Sequence, residues 1–167
     1  METVYIIFSR SNLPASLAIS AYTGCRWSHA GIYDVKKQTV IESTFTHHGV
    51  NETSVDKFMS RASSTRIIGV RVRSAKAVLD AARSQIGKPY DYTAIVGIVL
   101  QDRNWAEDDM WFCFELAAWA LSKGGSPYFK PNEVRFITGR TLLERITKES
   151  PYIQDWVSIT NDHNVYV

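Results

Sequence analysis

Cysteine is nearly missing from this chain: Cys25 and Cys113 are the two present in 167 residues. Two thiols build neither a disulfide framework nor a four-thiolate zinc site, and one bridge is the most they allow. An excess of charge is also missing. Nineteen basic residues face 17 acidic ones, for a net of +2. That balance excludes nucleic acid or an anionic membrane as the default partner. The longest apolar run, residues 94–100, falls far short of the roughly 18 residues of a membrane span. Residues 1–10 have no basic n-region, and their apolar stretch is too short for a signal peptide. A cytoplasmic protein with reduced thiols is the expectation. Repeats, low-complexity tracts, linkers and a glycine-rich phosphate loop are lacking too, so residues 1–167 read as a single domain. The 45% hydrophobic and 12% aromatic content supplies a genuine core and excludes a disordered or fibrous chain.

Periodicity then orders the chain. Residues 4–8 are a β-branched and aromatic run, which predicts a buried first strand. Residues 13–22 have helical spacing, with Pro14 suited to a first turn and Gly24 to a stop. Two strands, 28–35 and 39–43, flank a polar loop at 34–38, and 55–59 is a short helix. Residues 66–73 alternate, with Ile68, Val70 and Val72 on one face and Arg71 and Arg73 on the other. Residues 75–86 form an amphipathic helix that Gly87 ends, and 88–91 read as a turn. Residues 92–100 suit a helix or a buried strand, and 102–109 a polar loop. A helix carries Phe112, Leu116, Ala117, Ala120 and Leu121 on one face, and another spans 140–148. Segments 156–159 and 165–167 suit final strands. The class is α+β, with strands mostly early and helices mostly late.

Cys113 stands where a polar loop gives way to that helix. At a helix start the macrodipole and the orphan N–H groups favour a thiolate. Its other reading is a small apolar core residue. His29, at the start of a predicted strand, is the natural proton carrier, because a strand holds an imidazole rigidly. Glu42, on the next predicted strand, is placed as a cross-strand neighbour that orients the ring. A lone histidine and a lone strand glutamate also have ordinary structural readings. Cys25 and His29 are four apart, but no spaced set of ligands completes a metal site, so no metal is assigned. His47 and His48 read as loop residues, Glu115 as an acid that favours its helix start, and Arg71, Arg73, Lys76 and Arg83 as a solvated basic face.

Four segments in series carry a resemblance: Trp27-Ser28-His29-Ala30-Gly31-Ile32-Tyr33, Val40-Ile41-Glu42-Ser43, Ile86-Gly87-Lys88-Pro89-Tyr90-Asp91-Tyr92 and Trp111-Phe112-Cys113-Phe114-Glu115-Leu116. Over residues 1–145 they resemble the circularly permuted, papain-like branch of the NlpC-type cysteine hydrolases, the YiiX-like group, with lecithin:retinol acyltransferase a distant relative. The resemblance implies a papain-like fold in which a small antiparallel sheet packs against helices. It also implies a Cys113–His29–Glu42 site working through a thioester without a cofactor. Tyr90 and Tyr92 are candidates for lining the site or donating to an oxyanion, or else are packed turn aromatics. The implied substrate is a cell-wall peptide amide or a lipid acyl chain, and segment 94–100 suits a lipid-binding wall or plain core. A non-catalytic binding or virion-structural module and an acyltransferase are the rival readings. Two departures stand out. Phe114 replaces the serine usual after the nucleophile, and the first strand lacks the usual Gly-Asp-Ile opening; the expected lack of a signal peptide or lipoprotein cysteine suits a phage-encoded or intracellular member.

Overall fold

In the computed structural model, residues 1–91, 110–135, 137–148 and 150–157 are described. The elements run β1 (Glu2–Arg10), α1 (Pro14–Thr23), β2 (His29–Asp34), β3 (Thr39–Thr44), β4 (Gly49–Ser54), α2 (Val55–Ser60), β5 (Ser64–Val72) and α3 (Ala75–Arg83). After residue 110 come α4 (Cys113–Lys123), a 3₁₀ turn (Pro131–Glu133), α5 (Gly139–Thr147) and β6 (Tyr152–Val157). The strands form one open sheet in the order β4-β3-β2-β1-β5-β6, and every neighbouring pair is antiparallel.

Alternation along the strands divides the sheet's two faces. Val4, Ile6 and Phe8 of β1, Ala30 and Ile32 of β2, and Ile68, Val70 and Val72 of β5 join α3, α4 and α5 in the main core. Ile7, Val40 and Ile67 point the other way and pack under Val55 and Phe58 of the short α2. Helix α4 is buried nearly all round, from Cys113 to Leu121, and lies over β2 and β3. A helix sunk so deeply gives a side chain at its start a fixed position on the sheet.

Several elements differ from the sequence reading. Strand β4 has the polar sequence Gly-Val-Asn-Glu-Thr-Ser and was not expected; it forms because the edge of β3 offers a ladder. Helix α3 ends at Arg83, and turns carry the chain on to Gly87. Residues 88–91 are extended where a turn was expected. The amide of Val50 donates to Lys88 O at 2.9 Å, and that of Tyr90 donates to His48 O at 3.2 Å. On the other side Trp111 donates to Pro89 O at 3.1 Å, and Asp91 donates to Trp111 O at 3.2 Å. The segment therefore ties the β4 edge to the chain entering α4, a pairing with distant partners that local propensity does not reveal. Strand β6 starts at Tyr152, earlier than the final strand expected at 156–159, and pairs with β5. The expectations for residues 92–109 and 158–167 lie outside the described residues.

Candidate active site

His29 is the first residue of β2 and Glu42 lies on β3, with Gly31 directly opposite Glu42 in the register. His29, Gly31 and Glu42 share a face, so the imidazole and the carboxylate are diagonal neighbours. Gly31 keeps the gap open. A Cβ there would stand 2.4 Å from Val40 Cγ1 and 3.4 Å from Glu42 Cβ. His29 Nε2 meets Glu42 Oε2 at 2.7 Å, and Glu42 is fully buried. Cys113, the first residue of α4, is the other group that acts on the ring, close enough to favour its protonated form. Residues 29, 42 and 113, far apart in sequence, are thus in one chain of contacts.

The electrostatics follow from burial. Burial opposes a charged imidazole, but the charge of Cys113, its hydrogen bond and then Glu42 outweigh it and push the His29 pKa up to about 10. Burial also works against an ionised Glu42. The hydrogen bond and charge of His29, followed by those of Arg61, more than offset this and hold the carboxyl below its ordinary range. The arrangement favours an imidazolium beside the buried Glu42 carboxylate.

Arg61 is the partner that the sequence reading missed. Arg61 Nη2 donates to Glu42 Oε1 at 2.5 Å. Arg61 lies just past the end of α2, 19 residues from Glu42. Its guanidinium also covers Phe58, whose ring stacks on His29 with centroids 5.7 Å apart and planes 28° apart. No local pattern marks such a contact.

The segment entering α4 is anchored just as firmly. Ser43 Oγ donates to Trp111 O at 2.7 Å, and Trp111 Nε1 donates to Gln85 Oε1 at 3.0 Å. Arg135 donates to Met110 O at 3.1 Å and covers the Trp111 indole. Glu115 is buried, with Arg135 Nη1 at 3.7 Å, so it does more than favour an exposed helix start. Phe114 does not line the site. Its ring lies in the main core beside Phe8 and Phe112.

A cleft of about 180 Å³ opens over the histidine, with Ser9, Ser16, Phe45, Phe58, Arg61 and Tyr90 among its walls. Cys113 is 1% exposed and is not one of the wall residues, so the imidazole is the part of the pair that meets the cleft. Tyr90 lines the cleft with its ring set edge-on to Phe45 and Phe112. Tyr92 lies outside the described residues. Cys25 is a buried core residue, and burial pushes its thiol pKa up. Both cysteines are free. Among the described residues no group of three or more His, Cys, Asp or Glu is placed to hold a metal ion, and no helix is long and apolar enough to cross a membrane.

A helix that presents a thiol to a strand-borne imidazole, with histidine preceding cysteine in the chain and an open sheet behind them, defines the permuted papain-like fold. The chain belongs to the permuted papain-like amidase family of the YaeF/YiiX type, C92, whose model matches residues 3–144. Among solved structures it is similar to one described as the metalloprotein yiiX from Escherichia coli O157:H7. That likeness has a TM-score of 0.55 at 22% identity and covers 95% of this chain and 89% of the other. A comparison with curated proteins finds no match.

Proposed function

We propose that the protein is a cysteine amidase or peptidase in which Cys113 is the nucleophile, His29 the proton carrier and Glu42 the residue that orients it. The contact chain from the Cys113 thiol through His29 to the buried Glu42 carries this reading. With Nε2 held by Glu42, Nδ1 is the nitrogen that exchanges a proton with sulfur. His29 accepts the thiol proton, and the thiolate attacks the amide carbonyl. The tetrahedral intermediate collapses to a thioester as His29 returns the proton to the departing amine. Water then gives a proton to His29 and attacks the thioester, releasing the acid and restoring the thiol. The backbone N–H of Cys113, at the positive end of α4, suits the developing oxyanion.

The family supports an amide-bond substrate of peptide type. Incubation of the full chain with activated acyl esters and amides, followed by intact-mass measurement, tests the reading. An acyl adduct on Cys113, released by hydroxylamine and missing in Cys113→Ser, is the expected result. Unchanged hydrolysis by Cys113→Ser, or a folded protein that takes no acyl group, would overturn it and favour a binding module. Transfer of the acyl group to an added amine in preference to water would identify an acyltransferase.

A further inference from the structure

We propose that Arg61 is a positioning residue of this site and acts on the reaction through Glu42. The inference rests on the roles given above to Cys113, His29 and Glu42. Glu42 is fully buried, and each of its carboxylate oxygens has its own cationic partner: Arg61 on Oε1 and His29 on Oε2. With both oxygens engaged, rotation about the last bond of the side chain is blocked. The oxygen facing His29 is therefore fixed, and so is the ring plane.

Arg61 is itself held in place. Its Nε donates to Lys57 O at 3.2 Å, and its guanidinium carbon lies 5.6 Å from the Phe58 ring centre. Phe58 in turn covers His29. One guanidinium thus touches the acid directly and braces the imidazole through an aromatic ring.

The charged groups around this acid are few. His29 faces Glu42 from β2 and Arg61 faces it from beyond α2, while its opposite neighbour on β4, Asn51, is uncharged. Cys113 faces His29 from α4. Removing the guanidinium leaves a buried carboxylate with one bare oxygen. Such a group takes up a proton more readily or turns away from its remaining partner. Either response weakens the hold on a protonated His29, and the thiolate paired with His29 loses support.

The test is the pH profile of iodoacetamide alkylation at Cys113 in the full chain, read by peptide mass. In wild type, alkylation should persist well below the ordinary thiol pKa of about 8.5. Arg61→Met should raise the apparent pKa of this reaction by about one unit, a roughly tenfold slower rate at pH 6. Arg61→Lys, which keeps the charge but not the fork, should recover part of that loss. In a Glu42→Gln background Arg61→Met should change the rate less than about twofold, since its effect runs through the carboxylate. A folded Arg61→Met protein with the wild-type profile overturns the inference. So does an equal loss in the presence and absence of Glu42. If Arg61→Met does not fold, Arg61→Lys with and without Glu42→Gln completes the same cycle and decides on the same criterion. A wild-type protein that titrates as an ordinary free thiol overturns the nucleophile reading together with this one. A shifted wild type with an unshifted variant overturns this inference alone.

Discussion

Adjacent residues on one strand do different work at this site. In Val40-Ile41-Glu42-Ser43, Glu42 turns to the imidazole on one face, while Ser43 turns to the other and holds the carbonyl of Trp111. Period-two alternation therefore lets four residues fix the acid and also the approach to the nucleophile. The two cysteines differ in the same local way. Cys25 is buried in apolar surroundings that raise its pKa, whereas Cys113 begins a helix and contacts an imidazole. At neutral pH a thiolate-selective reagent should modify Cys113 at least about tenfold faster than Cys25. Cys25→Ser should leave the acyl-adduct reaction intact. Faster loss of Cys25, followed by peptide mapping over time, would reverse the assignment of the two thiols.

Among the elements, α4 and α5 meet at a contact that only a glycine permits. Gly139, the first residue of α5, lacks a side chain where the Phe114 ring sits; a Cβ there would lie 2.6 Å from Phe114 Cζ. Phe114 thus takes core space rather than cleft space, which is how the chain tolerates an aromatic directly after Cys113. Gly139→Ala should cost about 1–3 kcal/mol of stability through overpacking. The loss should shrink in a Phe114→Leu background, because the smaller side chain yields to the new methyl. Urea unfolding of the four proteins measures the coupling, and strictly additive losses would refute a direct clash. The segment Gly87 to Asp91 likewise acts as an element, because its hydrogen bonds join β4 to Trp111 and hence to the start of α4.

Across the whole molecule, Arg83 joins parts that the sheet alone leaves separate. From the last turn of α3 it reaches Asp34 Oδ2 at 2.6 Å and Glu52 Oε1 at 2.7 Å, linking the helix layer to the β2–β3 hairpin and to β4. It is no solvated basic residue, as its sequence context had implied. Burial opposes an ionised Asp34, but the Arg83 hydrogen bond and those of the Lys37 and Lys36 amides outweigh it. The Arg83 hydrogen bond is the foremost cause lowering the pKa of Glu52. Carboxyls with depressed folded pKa values stabilise the fold above their unfolded values, near pH 4, and lose that contribution as pH falls through the folded values. Arg83→Met should therefore destabilise the protein by about 2 kcal/mol at pH 7, between the ranges for exposed and buried pairs. The gap between variant and wild type should close as pH falls toward 3. Chemical unfolding at several pH values measures this, and a gap independent of pH would assign the loss to packing.

What the sequence determined by itself was local or serial. Apolar periodicity located β1, β2, β3, β5 and most helix spans, because each buries a face whose spacing is written in adjacent residues. Four short segments in order pointed to the permuted papain-like family, and they contain Cys113, His29 and Glu42. Helix start and strand start were also readable, since capping and alternation act within a few residues. The tertiary structure alone decided the rest. Strand β4 carries no apolar alternation and exists because β3 offers an unpaired edge. The extended path of residues 88–91 depends on β4 and Trp111 together. Arg61 became the second partner of Glu42 only when the end of α2 came to lie over β3. The charge state of His29 depends on burial and on two groups brought from other elements, and such a balance has no representation along a linear chain.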